Sequence, residues 1–339
     1  MKHVTFLTYP LLVTGLTALS VGGCSSNATN TSQSSAQASG SSGTPAAAPK
    51  VTATITVGKS PDSVAVDSGA KIVYVTNSGD DTVSVIDAAS NAVKTSIKVG
   101  KKPEGIAIDS QAKKAVVTNG DDGSVSIIDT GSNVVGAPLK VGKSPEAVAV
   151  DPASHTAYVA NEDGGSVSVI DTVAGTVTAT VPVGKKPDGV AADPATHSVY
   201  VANAEDNSVS VIDMVSRQVA ATIPVGRGPD EVQVVNRSAY VTTAGDNALS
   251  VIDTTSRKVI ETIPVEKTPD GWVADPGTHT AYITNSHDDS MSVVDAQARK
   301  ITATVKVGKG PDGIAVDTAT HIVYTANEGD GTVSVIATA

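Results

Sequence analysis

The sequence predicts an all-β fold made of seven copies of one four-stranded unit, and three periodic markers in a common register carry that reading. A Pro followed by Asp or Glu recurs at Pro61, Pro103, Pro145, Pro187, Pro229, Pro269 and Pro311, every 42 residues except for one interval of 40 between the fifth and sixth. An Asn closes an apolar stretch at Asn77, Asn119, Asn161, Asn203, Asn285 and Asn327, with Thr243 in the fifth copy. A Val-Ile-Asp or similar triplet ends at Asp87, Asp129, Asp171, Asp213, Asp253 and Asp295. Self-similarity at a fixed period of this length marks a repeat architecture. Composition agrees: hydrophobic residues make up 40% but aromatics only 3%, so the core must be built from Val, Ile and Ala. β-branched side chains pack well on a pleated sheet.

The elements follow in chain order. Residues 1–23 read as a lipoprotein signal peptide, with Lys2 as a short basic region and Leu11 to Val21 as the apolar stretch. Val21-Gly22-Gly23 before Cys24 resembles a bacterial lipobox. That resemblance implies cleavage after Gly23 and acylation of the Cys24 thiol. Cys24 is the only cysteine, which leaves no disulfide and no thiolate metal site. Residues 24–50 hold the lipidated cysteine and a Ser/Ala/Thr-rich segment that cannot bury enough apolar surface to offset its ordering entropy, so a disordered tether is expected. An anchor of two or three acyl chains holds a protein at a membrane surface without spanning it. The expected address is therefore outside the cytoplasm, on the bacterial cell membrane. The net charge is −11, and −12 once the leader with Lys2 is removed. An acidic surface repels phosphate backbones, which makes nucleic acid a poor partner.

Residues 51–339 carry the repeats. In each, a first strand such as Val64–Val66 precedes a second such as Ile72–Thr76, a third such as Thr82–Ile86 and a fourth such as Val177–Val183. Turn-forming Asp-Pro, Gly-Asp-Asp, Asp-Thr and Val-Gly-Lys segments separate them. Four strands in about 42 residues, repeated seven times, predict a seven-bladed β-propeller of four-stranded blades. Hairpin-joined antiparallel strands do not suit a solenoid. The repeats begin with a fourth-type strand, Val51–Val57, and end with a third-type strand, Thr332–Ile336. Seven complete blades therefore require the N-terminal strand to join the last blade, closing the ring and covering an exposed edge.

Tyr74-Val75-Thr76-Asn77, followed by Thr82-Val83-Ser84-Val85-Ile86-Asp87, resembles the YVTN family of β-propeller repeat proteins. Tyr282-Ile283-Thr284-Asn285 is close to it, and Tyr158, Tyr200 and Tyr324 head related copies. The resemblance spans residues 51–339. It implies a seven-bladed propeller, often exported, sometimes on cell surfaces and mostly without an established activity. Val116 in the second copy and much of the fifth copy depart from the pattern.

Candidate chemistry lies in the repeats and in their exceptions. Periodic tyrosines inside a strand favour core packing over an aromatic platform. His155, His197, His279 and His321 share one turn position, so they spread around a rim and do not converge as zinc ligands must. Asp62, Glu104, Glu146, Asp188, Asp230, Asp270 and Asp312 precede the first strand of every copy. They are expected to ring one mouth of the central channel, as solvated turn residues with weak ion pairs to Lys59, Lys101, Lys143, Lys185, Arg227, Lys267 and Lys309, or as a ring that captures a cation such as calcium. The largest break in symmetry lies in copies five and six. Glu231 and Gln233 replace small residues on one face of a first strand, and Trp272, the only Trp, replaces Val or Ile. These three are expected to line a small-ligand site. Features shared by all copies serve the fold, and few unique acid–base groups stand out. The favoured function is thus a non-catalytic binding or scaffold module of the cell envelope, with an envelope protein, glycan or small ligand as partner, acting as a monomer without a resident cofactor. A lactonase-like or other propeller hydrolase or lyase is the alternative.

Overall fold

The computed structural model describes residues 48–338 apart from 268, 297 and 299. The leader, Cys24 and the tether up to residue 47 lie outside the described residues. Seven antiparallel sheets follow one another along the chain. Blade one shows the plan, from the channel outward: Pro61–Asp67, Ile72–Asn77, Thr82–Asp87 and Ala92–Lys98. The inner strand starts at the Pro of the marker, earlier than the sequence indicated. Proline is tolerated at the first position of a strand because no ladder bond needs its N–H there. Each inner strand breaks register just after that Pro, as between Pro61 and Val64.

The ring closes as the repeat arithmetic requires. Lys50–Thr56 pairs antiparallel with Thr332–Ala337, Thr56 opposite Thr332 and Lys50 opposite Ala337, and completes the blade of Pro311–Asp317 and Ile322–Asn327. The closing strand begins at Lys50, so the propeller takes one residue that was assigned to the tether. Val51, Ala53 and Ile55 turn inward while the intervening residues stay exposed, the period-two burial of a half-covered strand. Blade two departs from the plan. Its outer strand is broken into Val134–Val135 and Leu139–Lys140, around Gly136 and Pro138. Pro138 has no N–H to give the ladder, and Gly weakens a strand interior.

An apolar cluster fills each junction between neighbouring blades, of which the cluster joining blades four and five is representative: Tyr200, Val209, Val211 and Ile223 meet Val232, Val241 and Ile252. Five of the six expected core tyrosines are buried in this way, and Tyr240 is partly buried. The recurring Asn is a hydrogen-bonding hub. In blade four the Gly184 N–H donates to Asn203 Oδ1 at 3.1 Å, while Asn203 Nδ2 donates to Ser208 Oγ at 3.1 Å and Ser210 Oγ at 3.0 Å. Gly184 is needed for closeness: a Cβ there would lie 2.5 Å from Asn203 Cγ. This single side chain therefore ties the incoming loop to the second and third strands of its blade.

Candidate functional site

The inner strands surround a central cavity of about 560 Å³. Because each begins with Pro and then an acid, seven carboxyl-bearing residues from seven blades face one space: Asp62, Glu104, Glu146, Asp188, Asp230, Asp270 and Asp312 all line it. Glu231 and Gln233 line it as well, as the fifth copy led one to expect. The wall is deepest on the side of blades three to five, where residues through Val150, Ala192 and Val234 take part.

Packing like charges in a partly dry space makes ionisation costly. Burial pushes the Asp62 carboxyl up to about 8, and Glu104 adds to the effect. Burial and then Glu104 push Glu146 up to about 9. Burial, followed by Asp270, raises Asp230 to about 8. Glu231 also reaches about 8, chiefly through burial and then through Asp188 and Asp270. Asp270 reaches about 6, tempered by a hydrogen bond from Ser286. Asp188 and Asp312 are likewise raised well above the ordinary range by burial and their neighbours. At neutral pH much of the ring is therefore held in its protonated form.

The cation that serves the ring is one residue nearer than the expected set. Lys102 Nζ pairs with Glu104, whose side chain is only 4% exposed, and the hydrogen bond it donates to Glu104 raises the lysine. The expected partners point elsewhere. Lys59 Nζ lies 3.6 Å from Asp80, and Arg227 Nε lies 2.7 Å from Asp246. Their backbone N–H groups bond the same two aspartates, and those of Lys101, Lys185 and Lys309 bond Asp122, Asp206 and Asp330. These five residues thus fasten their incoming loops to the turn between the second and third strands. Asp188, Asp230, Glu231 and Asp270 have no Lys or Arg paired with them among the described residues, so the channel is neutralised on one side only.

Among the described residues no three His, Cys, Asp or Glu side chains form a group that could hold a metal ion. The carboxyls are spaced by the blades that carry them. Trp272 borders the cavity but is only 1% exposed and does not present a plate to a ligand. Its register turns it toward blade five, where the indole N–H donates to Tyr240 O at 3.3 Å and the two rings meet edge-on at 5.1 Å. The turn histidines stay spread over separate blades, and two of them bridge neighbouring blades. His155 Nδ1 lies 3.0 Å from Asp109 Oδ2, and His321 Nδ1 lies 2.5 Å from Asp275 Oδ2, each a bridge to the preceding blade. All four share a left-handed backbone conformation, with φ between 50° and 59°. Partners 46 residues apart become visible only once adjacent blades are placed side by side.

Comparison with known proteins agrees with this architecture. Residues 192–280 match the family model of the YNCE-like β-propeller. No curated protein matches the chain. Among solved structures, hydrazine synthase of Kuenenia stuttgartiensis superposes with a TM-score of 0.75 over 84% of this chain and 97% of that one, at 20% sequence identity. At that identity the likeness is one of fold alone.

Proposed function

We propose that this seven-bladed propeller, whose repeats resemble the YVTN family, is a non-catalytic binding module of the cell envelope, anchored through lipid on Cys24, whose acidic channel receives a basic group of its partner. The supporting observation is the one-sided channel. Lys102 already places an ammonium beside Glu104, while Asp188, Asp230, Glu231 and Asp270 face the cavity without a paired cation among the described residues. A lysine side chain or small alkylammonium from a partner has the chemistry those carboxyls lack. Because Asp230 and Glu231, at about 8, hold protons at neutrality, binding a cation there releases protons, and affinity rises with pH.

Calorimetric titration of the purified protein with a trilysine peptide tests this reading. One saturable site is expected, weakened at least about tenfold, roughly 1.4 kcal/mol, by the triple substitution Asp188→Asn, Asp230→Asn, Asp270→Asn. Absence of binding to the wild-type protein between pH 6 and 9 overturns it. For the anchor, Cys24→Ala is expected to release the protein from the membrane fraction or leave it unprocessed; normal processing with retention on the membrane contradicts the lipid reading. A second reading rests on Asp270: a buried carboxyl raised to about 6 has the protonation behaviour of a general acid, as a lactonase-like hydrolase requires. Turnover of a lactone panel that is lost in Asp270→Asn would favour that enzyme over the binding module.

A further inference from the structure

Neighbouring inner strands touch closely along the channel, and the second residue after each Pro decides how closely. A Cβ on Gly189 would lie 2.4 Å from Asp230 O of the next blade, and one on Gly313 2.4 Å from Asp62 O. Gly105 and Gly271 are similarly confined, each with 2.6 Å to the next blade's backbone oxygen. Such contacts leave no room for a side chain unless the strands part. Blades one and three carry the small Ser63 and Ala147 at this position, but blade five carries Glu231. The inner strands of blades five and six, Pro229–Val235 and Pro269–Asp275, accordingly pack less closely than any other neighbouring pair.

Two kinds of tie fasten some of the other junctions, and this one has neither; Ala160, Ala202 and Ala326 also lack the threonine, but their junctions keep closely packed inner strands. Thr76, Thr118 and Thr284 each donate across to the next inner strand, to the backbone oxygens of Glu104, Glu146 and Asp312, at 2.7, 2.5 and 2.7 Å. Thr242, at the same repeat position, bonds only its own blade, through Glu231. Val235 stands where Asp109 and Asp275 hold the histidine of the following blade, so blade five offers His279 no carboxylate. In the loop joining blades five and six, Glu266 stands where Gly184 bonds the Asn hub in blade four, and the buried Asn285 Oδ1 of blade six has no hydrogen-bond partner. What does hold this junction is the apolar layer between the two sheets: Trp272 against Tyr240, with Leu249, Ile263 and Ile283 around them.

We infer that the ring is jointed: the seam between blades five and six opens along the channel when Glu231 ionises and closes when it is neutral, with the Tyr240–Trp272 contact as the hinge. The charged groups that face Glu231 are all carboxyls, from the inner strands of blades four, five and six: Asp188, Asp230 and Asp270. Adding a negative charge there adds repulsion directly across the seam, with no bridging hydrogen bond from Thr242 to resist it. Burial places that ionisation at about 8, so the joint responds just above neutrality. Glu231 also lines the cavity proposed to receive a basic group, so the joint is tested on the protein alone, without any added cation.

Trp272 reports on the joint directly, because it is the only Trp in the chain and lies in the hinge. Its emission and its quenching by acrylamide are measured on the purified full-length protein from pH 5.5 to 9.5. A red shift and a roughly twofold rise in quenching, centred near pH 8, are expected for local opening of the wild-type seam. Glu231→Gln and Glu231→Gly are expected to remove the transition, whereas Asp62→Asn, in blade one, is expected to keep it. A wild-type signal that does not change with pH overturns the joint. So does a transition that survives unchanged in Glu231→Gln, or one lost equally in Asp62→Asn.

Discussion

Replacing Ile55 by Ala probes ring closure with a single side chain. Ile55 belongs to the N-terminal strand yet is buried, 6% exposed, among Val64, Val73 and Val75 of blade one and Val333 and Val335 of the last blade. Its partner in the ladder is Val333, 278 positions along the chain. Truncating a buried Ile to Ala removes its transfer free energy and leaves a cavity, a loss of about 2–5 kcal/mol. For a domain of this size each kcal/mol lowers the melting temperature by roughly 2 °C, so a fall of about 4–10 °C is expected. Thr54→Ala, one residue earlier on the exposed face, is the matched control, with an effect within about 0.5 kcal/mol. The assay is thermal unfolding followed by circular dichroism for the three proteins at equal concentration. If Ile55→Ala melts with the wild type, the N-terminal strand does not close the ring and the reasoning fails.

Other outcomes follow from the same structure. Asp62, Glu146, Asp230 and Glu231 hold protons in the folded state that the unfolded chain has already lost, so stability falls as pH rises from about 5 to about 9. The exposed carboxyls with lowered values, such as Asp81 and Asp129, contribute stability that is lost only at lower pH and leave this window unchanged. A melting temperature higher at pH 8.5 than at pH 5.5 would contradict the buried ring. Asn203→Ala strands the Gly184 N–H and two serine hydroxyls, and a loss of about 2–4 kcal/mol is expected in denaturant unfolding. Asn203→Thr should cost less, since Thr243 fills that position in blade five and still bonds Ala248 O at 2.9 Å; equal losses would show that the hub is not what the Asn supplies.

Much of the fold was legible because a repeat multiplies weak signals. Strand order, turn positions and closure all follow from alternation and turn chemistry read in register, and the Pro-acid marker led directly to the channel wall. Contacts between blades were not legible. Whether Thr76 bonds its own strand or the next, whether His321 meets Asp275, and which way Trp272 faces depend on how neighbouring sheets are set against each other. Lys102 was missed for a related reason: the sequence pattern singled out the recurring Lys101 position, whereas of the two lysines standing beside it, Lys102 and Lys186, only the first turns to a ring carboxyl, the second pairing with Glu162 and Asp163. The broken outer strand of blade two had a readable signal, the Gly136-Ala137-Pro138 segment, which breaks a ladder wherever it falls. Glu231 was picked out as an exception, but the consequence of its size needed the close approach that the facing glycines define.

The central claim is that the channel is a ring of carboxyls that exchanges protons for a basic group. Titration of the protein with trilysine at pH 7, by calorimetry in two buffers of different ionisation enthalpy, tests it most directly, because the difference in heat counts the protons released per peptide bound. Net release is expected, with affinity rising toward pH 8.5 and both effects diminished when Asp188, Asp230 and Asp270 are replaced by Asn. Binding with identical heats in the two buffers, or binding untouched by the three substitutions, would contradict the account.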